Sequence, residues 1–189
     1  MRLDHIAYRV KDRYKTADFF NDTLGYGLGT EFQIEFDDGS KADCLALLPP
    51  EDRHADTNEW DILLADAPDD KIKKSEAEFH SYHAPPEIFV SDGTAGSIVG
   101  DWVQERGGVG GIHHIAYQVP DVAGTMKEWK DKGYAEFYSD EPISCKDPDL
   151  IQVFTKPSEL TGVIYELISR EGDGFCKDSV KTLMESTKK

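Results

Sequence analysis

The chain is 189 residues long, 39% hydrophobic and 11% aromatic, enough to bury the core of one compact domain or of two small fused ones. Its formal net charge of −16 opposes nucleic acid and anionic membrane as partners, because phosphates would be repelled. No apolar run approaches the ~20 residues of a membrane span. Cys44, Cys145 and Cys176 are widely spaced with no Cys-x-x-Cys, so reduced thiols in a cytoplasmic protein are expected.

The first predicted element is a strand over residues 3–10, which Met1-Arg2-Leu3-Asp4 enters directly, so no secretory signal is expected. A helix follows over 14–24, with apolar Ala17, Phe19, Phe20 and Leu24 and with Gly25 placed to cap it. Strands over 31–36 and 42–48 flank Asp37-Asp38-Gly39-Ser40, a hairpin turn. Residues from about 49 to 86 are polar and charged apart from Trp60-Asp61-Ile62-Leu63-Leu64, and read as a partly helical insertion. A fourth strand over 87–90 closes a first module. A helix within 96–106 and the run Gly107-Gly108-Val109-Gly110-Gly111 lead to a second. These glycines fit no phosphate-binding pattern and precede a strand, so they read as a hinge. The second module has a strand over 112–119, a helix over 122–131 ending near Gly133, and strands over 135–138, 151–155 and 163–169. A tail helix over 177–184 ends it.

These elements predict an α+β fold of two tandem βαβββ modules, residues 1–95 and 112–189, joined by a linker over 96–111. Their strands would form one mixed sheet curled around a shared cavity, with the C-terminal helix as lid. The duplication is direct: His5-Ile6-Ala7-Tyr8-Arg9-Val10-Lys11-Asp12 returns as His114-Ile115-Ala116-Tyr117-Gln118-Val119-Pro120-Asp121, and such a repeat governs the reading of the whole fold. Side chains alternate across a strand. His5, Ala7 and Arg9 therefore share one face, as do His114, Ala116 and Gln118, and that face suits a cavity wall. Ile6, Tyr8 and Val10, like Ile115, Tyr117 and Val119, should pack under helices.

A histidine at the head of each repeated strand places two imidazoles where one ion could use both. Glu166 supplies a third donor: it stands in the last strand among Val163, Ile164, Leu167 and Ile168, where an unpaired carboxylate is costly and a cation removes the cost. Two neutral imidazoles and one carboxylate with open positions form the ligand set of non-haem Fe(II) oxygenases. Fe(II) is therefore the expected cofactor, with Zn(II), Mn(II), Co(II) or Ni(II) as alternatives. Taken singly, each histidine reads as a satisfied core or surface residue, and Glu166 as a partner of Arg170; the matching repeat positions favour the metal. His80 and His83 form a rival pair at helical spacing, though inside the polar insertion they read as solvated. Alternation turns His113 to the face opposite His114, away from any ion.

In these residues the chain resembles the vicinal oxygen chelate superfamily, which includes glyoxalase I, methylmalonyl-CoA epimerase and the extradiol dioxygenases. The paired modules with His5, His114 and Glu166 cover nearly all of it, apart from the insertion. Glu87 occupies in module one the place of Glu166 in module two, and the resemblance implies a further metal ligand or a catalytic acid-base there. The stretch from Ser97-Ile98-Val99 through Gly111-Ile112-His113-His114-Ile115-Ala116 looks like the epimerase linker. Leu150-Ile151-Gln152-Val153-Phe154-Thr155-Lys156-Pro157, Tyr165-Glu166-Leu167-Ile168-Ser169-Arg170 and Glu171-Gly172-Asp173-Gly174-Phe175 are, in order and spacing, similar to the end of 4-hydroxyphenylpyruvate dioxygenase. That similarity implies that Gln152 and Phe154 line the substrate site, with Phe175 near a gate closed by the tail helix. The chain departs from that enzyme in having only its catalytic half. Val180 stands for a substrate-stacking phenylalanine, Ser179 for an asparagine and His113 for a glutamine, so the metal chemistry carries over better than the aromatic substrate.

Three functions follow. The first is an Fe(II) dioxygenase that takes a 2-oxo acid as small-molecule substrate. The second is a divalent-metal isomerase, epimerase or lyase of the glyoxalase type, in which a carboxylate moves the proton. The third is a non-catalytic binder. Ligand count separates the first two: Glu87 on the metal favours isomerisation, and Glu87 turned away favours the oxygenase. A homodimer is compatible with all three.

Overall fold

The computed structural model describes residues 1–49, 86–146, 149–170 and 175–188. The expected insertion over 49–86, with His80 and His83, lies almost wholly outside them. The two copies of the repeat lie side by side: β1 (Arg2–Val10) and β5 (Gly110–Gln118) pair antiparallel at the middle of an eight-stranded sheet. Each pairs in parallel with the last strand of its own module, β1 with β4 (Glu87–Gly93) and β5 with β8 (Ile164–Arg170). Antiparallel strands complete both wings. These are β2 (Gly27–Glu35) and β3 (Lys41–Leu48) on one side, β6 (Ile143–Lys146) and β7 (Asp149–Phe154) on the other. The order is β2-β3-β4-β1-β5-β8-β7-β6, and the curled mixed sheet with its helices is the expected α+β fold.

The repeat also starts the helices. Asp12 and Asp121 cap α1 (Arg13–Leu24) and α3 (Val122–Asp131), each carboxylate accepting a first-turn backbone N–H. Gly25 ends α1 at φ 77°, a left-handed conformation that costs glycine little. On one face of the sheet, Ala17 and Phe20 of α1 pack against Val10, Leu45, Leu47, Ile88 and Val90. Val122 and Met126 of α3 pack likewise on Val119, Val153 and Leu167. Residues of opposite parity, Ala7, Cys44, Ala46 and Phe89, meet Val99 of α2 (Ile98–Glu105) and Val180 and Met184 of α4 (Lys177–Ser186). Both helices thus pack on this face of the sheet, and α4 supplies Val180, Leu183 and Met184 to the wall of the cavity.

Three expectations are corrected. Residues 135–138 form no strand; Phe137 makes a single bridge to Thr155 and turns its ring into the core under α3. The edge strand is β6, entered through Pro142 and paired antiparallel with β7. The expected hinge is shorter than read, because Gly110 and Gly111 belong to β5. A Cβ on Gly110 would lie 2.0 Å from the carbonyl oxygen of Arg9, so glycine permits the close approach of β1 and β5. Finally, Cys145 and Cys176 are joined in a disulfide, leaving Cys44 as a free, buried thiol. β6 brings Cys145 to the start of α4, a proximity that spacing along the chain does not reveal. Among the described residues no helix is long and apolar enough to cross a membrane.

Candidate metal centre

His5 of β1, His114 of β5 and Glu166 of β8 converge from three adjacent strands. His5 Nε2 and His114 Nε2 are 3.2 Å apart, and Glu166 Oε2 lies 3.4 Å from the first and 3.0 Å from the second. Donors each about 2.1 Å from one cation, at angles of roughly 90–110°, stand about 3.0–3.4 Å from one another. The triangle fits a divalent ion without rearrangement. All three side chains are buried, Glu166 to 1% exposure, so the ion would be screened from bulk water.

The protonation of the three groups follows from their mutual contact. Burial works against the charged form of His5, but hydrogen bonds and charge from Asp4 and Glu166 outweigh it and hold the imidazole up to about 9. Burial likewise opposes the Glu166 carboxylate, which the two histidines keep down at about 2. His114 is lowered, chiefly by burial, with Glu166 pulling the other way. Without an ion His5 is therefore protonated at neutral pH, and a divalent metal would displace the proton on its Nε2 to use the two imidazoles and the carboxylate as donors.

Each imidazole is also oriented from behind, as metal-ligating histidines generally are. His5 Nδ1 is 2.7 Å from Asp4 Oδ1; a carboxylate can only accept, so Nδ1 carries the proton and Nε2 faces the site. Asp4 is in turn gripped by Arg170, whose Nη2 and Nε donate to its two oxygens at 2.9 and 3.2 Å. His114 Nδ1 meets His113 Nδ1 at 2.9 Å. Burial, then the charge of Arg9, push His113 well below the usual imidazole range, which leaves it a neutral acceptor for His114.

Two irregularities in the β1–β5 pairing build this arrangement. Asp4 and His5 together oppose one residue of β5, and His113 is an extra residue on β5 between the pairs Ala7–His114 and Tyr8–Ile112. Bulges re-aim side chains in this way. The expectation that His113 faces away is therefore wrong: it is buried and lines the cavity beside His114. It is absent from the donor cluster.

Glu87 stands beside His5 in the register of β1 and β4, yet its carboxylate accepts from Arg170 Nη2 at 2.9 Å and joins neither the donor cluster nor the cavity wall. Glu87, expected as a catalytic or ligating residue, is held by Arg170 and stands outside the donor cluster found among the described residues. Arg170, one candidate partner for Glu166 taken singly, forms ion pairs with Asp4 and Glu87.

A cavity opens in front of the donors. Gln152, Phe154 and Phe175 line it, with Arg9, Ser91 and Val180. Phe154 lies against His114 with ring centroids 4.6 Å apart, and Phe175 meets His5 edge-on at 5.1 Å. Gln152 Nε2 donates to Ser179 Oγ of α4 at 2.8 Å, which ties the tail helix to the floor of the site.

Residues 4–149 match the family model described as Glyoxalase/Bleomycin resistance protein/Dioxygenase superfamily. Among solved structures, a triple mutant of 4-hydroxymandelate synthase from Streptomyces coelicolor superposes with a TM-score of 0.69 at 17% identity, over 98% of this chain and 52% of that one. The chain spans about half the length of that synthase. A selenomethionine methylmalonyl-CoA epimerase gives a TM-score of 0.61 at 17% identity, covering 91% of this chain and 97% of the other. The epimerase from Mycobacterium tuberculosis gives 0.57 at 18%, covering 90% and 89%. At such identities the likeness is one of fold. No curated protein matches the chain by sequence. With its residues matched by the family model over most of their length, the chain belongs to the glyoxalase/bleomycin resistance protein/dioxygenase superfamily.

Proposed function

We propose that the protein is a non-haem Fe(II)-dependent dioxygenase acting on a 2-oxo acid, with His5, His114 and Glu166 as the metal ligands. The donor count carries this reading. Three ligands converge while Glu87 is held by Arg170, so an octahedral ion would keep three positions for substrate and dioxygen. The likeness of residues 150–175 to the end of 4-hydroxyphenylpyruvate dioxygenase supports it, as does the shared fold of the synthase.

A ferrous ion at this site would supply the redox centre at which dioxygen oxidises a chelating 2-oxo acid. The chain's own residues would do the rest. Asp4 and His113 hold the two imidazoles in the ligating tautomer. Phe154 and Phe175 flank the donors with apolar rings and limit access of water to the reacting atoms. Gln152, steadied by Ser179, places a buried amide on the cavity wall. An epimerase-type isomerase is the alternative that the fold also accommodates. It needs a free carboxylate beside the metal, and Glu87 is spent on Arg170.

Adding Fe(II) to metal-free protein under anaerobic conditions, then oxygenated buffer with a panel of 2-oxo acids, tests the proposal. Oxygen uptake dependent on both metal and one class of oxo acid is expected. Full metal occupancy with no uptake across the panel rejects it.

A further inference from the structure

The cavity holds a cation that the metal site does not use. Arg9 lies on the same face of β1 as His5 and lines the cavity, yet it is only 3% exposed. Its Nη2 is buried without a hydrogen-bond partner, and no described acid forms an ion pair with it. Its electrostatic neighbours are the Cys44 thiol, the Tyr138 hydroxyl and another cation, Arg106. Burial pulls the guanidinium down to about 9, still charged at neutral pH. The Cys44 thiol is pushed up by its own burial and supplies no counter-charge. The Trp102 ring, 5.9 Å from Arg9 Cζ, is partial compensation only.

An uncompensated buried arginine is costly to the fold. The polar side chains of Ser91 and His113, which line the same cavity, suit a ligand that arrives with its own negative charge. Four residues of strand separate His5 from Arg9, roughly 13 Å between backbone positions, so the two sit towards opposite ends of one wall. We propose that Arg9 is the specificity-determining residue of the cavity and pairs with a second carboxylate at the far end of the substrate. The substrate class is then a 2-oxo dicarboxylate, chelated at its oxo-acid end by the metal and fixed at its other end by the guanidinium. This rests on the oxo-acid reading above.

Calorimetry on protein loaded with redox-inert Zn(II) tests it with 2-oxoadipate and 2-oxohexanoate, which match in length and differ in the terminal carboxylate. Wild type should prefer the diacid by roughly tenfold or more, the worth of a charge-assisted pair. Arg9→Met, which keeps the apolar stem, should lose that preference while retaining 2-oxohexanoate binding, and Arg9→Lys should restore part of it. Equal binding of both acids by wild type, or an unchanged preference in Arg9→Met, overturns the proposal. Thermal shift of metal-free protein with adipate, which has no oxo group, separates the two claims. Arg9-dependent stabilisation by adipate without 2-oxo-acid binding would sink the oxygenase reading and keep the anion site. No stabilisation, with no diacid preference, would sink the anion site alone.

Discussion

Asp4 touches no substrate, yet its carboxylate fixes the proton on His5 Nδ1 and is itself clamped by Arg170. Asp4→Asn should weaken metal binding by about 10–100-fold, as loss of an orienting partner generally does, measured by competition with a chromogenic chelator. Glu87→Gln should leave metal content unchanged and oxygen uptake within about threefold of wild type, because Arg170 keeps two bonds to Asp4. If uptake collapses with metal in place, Glu87 takes part in the oxygenase chemistry and is more than a partner of Arg170. The donors His5, His114 and Glu166 were legible in sequence, because a repeated motif and an acid in an apolar strand are local signals. Asp4 and His113 were not. Their positions depend on bulges, and a bulge belongs to the pairing of two strands rather than to either one.

The same limit separates the elements that were read correctly from β6. Helices α1 and α3 announce themselves by an aspartate cap and a closing glycine. The four-residue β6 carries little signal of its own, and what fixes it is pairing with β7 and the Cys145–Cys176 bond to the head of α4. That bond closes a loop spanning a separation of 31 residues, worth about 3–4 kcal/mol in the chain-entropy model. Cys145→Ser should therefore lower unfolding free energy by about 2–4 kcal/mol in urea titrations. Thiol titration should find no reactive cysteine in the native protein, one after denaturation and three after denaturation with reductant. Three without reductant would mean that the bond is absent. The bond also anchors the helix that carries Ser179, Val180 and Met184 onto the cavity, next to Phe175.

The sheet as a whole exists to bring first and last strands of two modules together, and the duplicated octapeptide made that architecture readable before any coordinates. What the repeat could not convey is the chemistry of the space enclosed. Arg9, Ser91 and His113 come from three strands, and only their convergence gives the cavity its polarity. Because the donors sit on β1, β5 and β8, metal binding should stabilise the entire fold. At 100 times the dissociation constant the gain is about 2.7 kcal/mol, or roughly 5–10 °C in melting temperature for a chain of this size. His114→Ala should abolish that shift.

Anomalous diffraction from crystals grown anaerobically with Fe(II) reaches the central claim most directly. The account predicts one ion per chain, about 2.0–2.3 Å from His5 Nε2, His114 Nε2 and a Glu166 oxygen, with Glu87 still on Arg170. An ion bound elsewhere, or these three donors left without one at saturating metal, would contradict it.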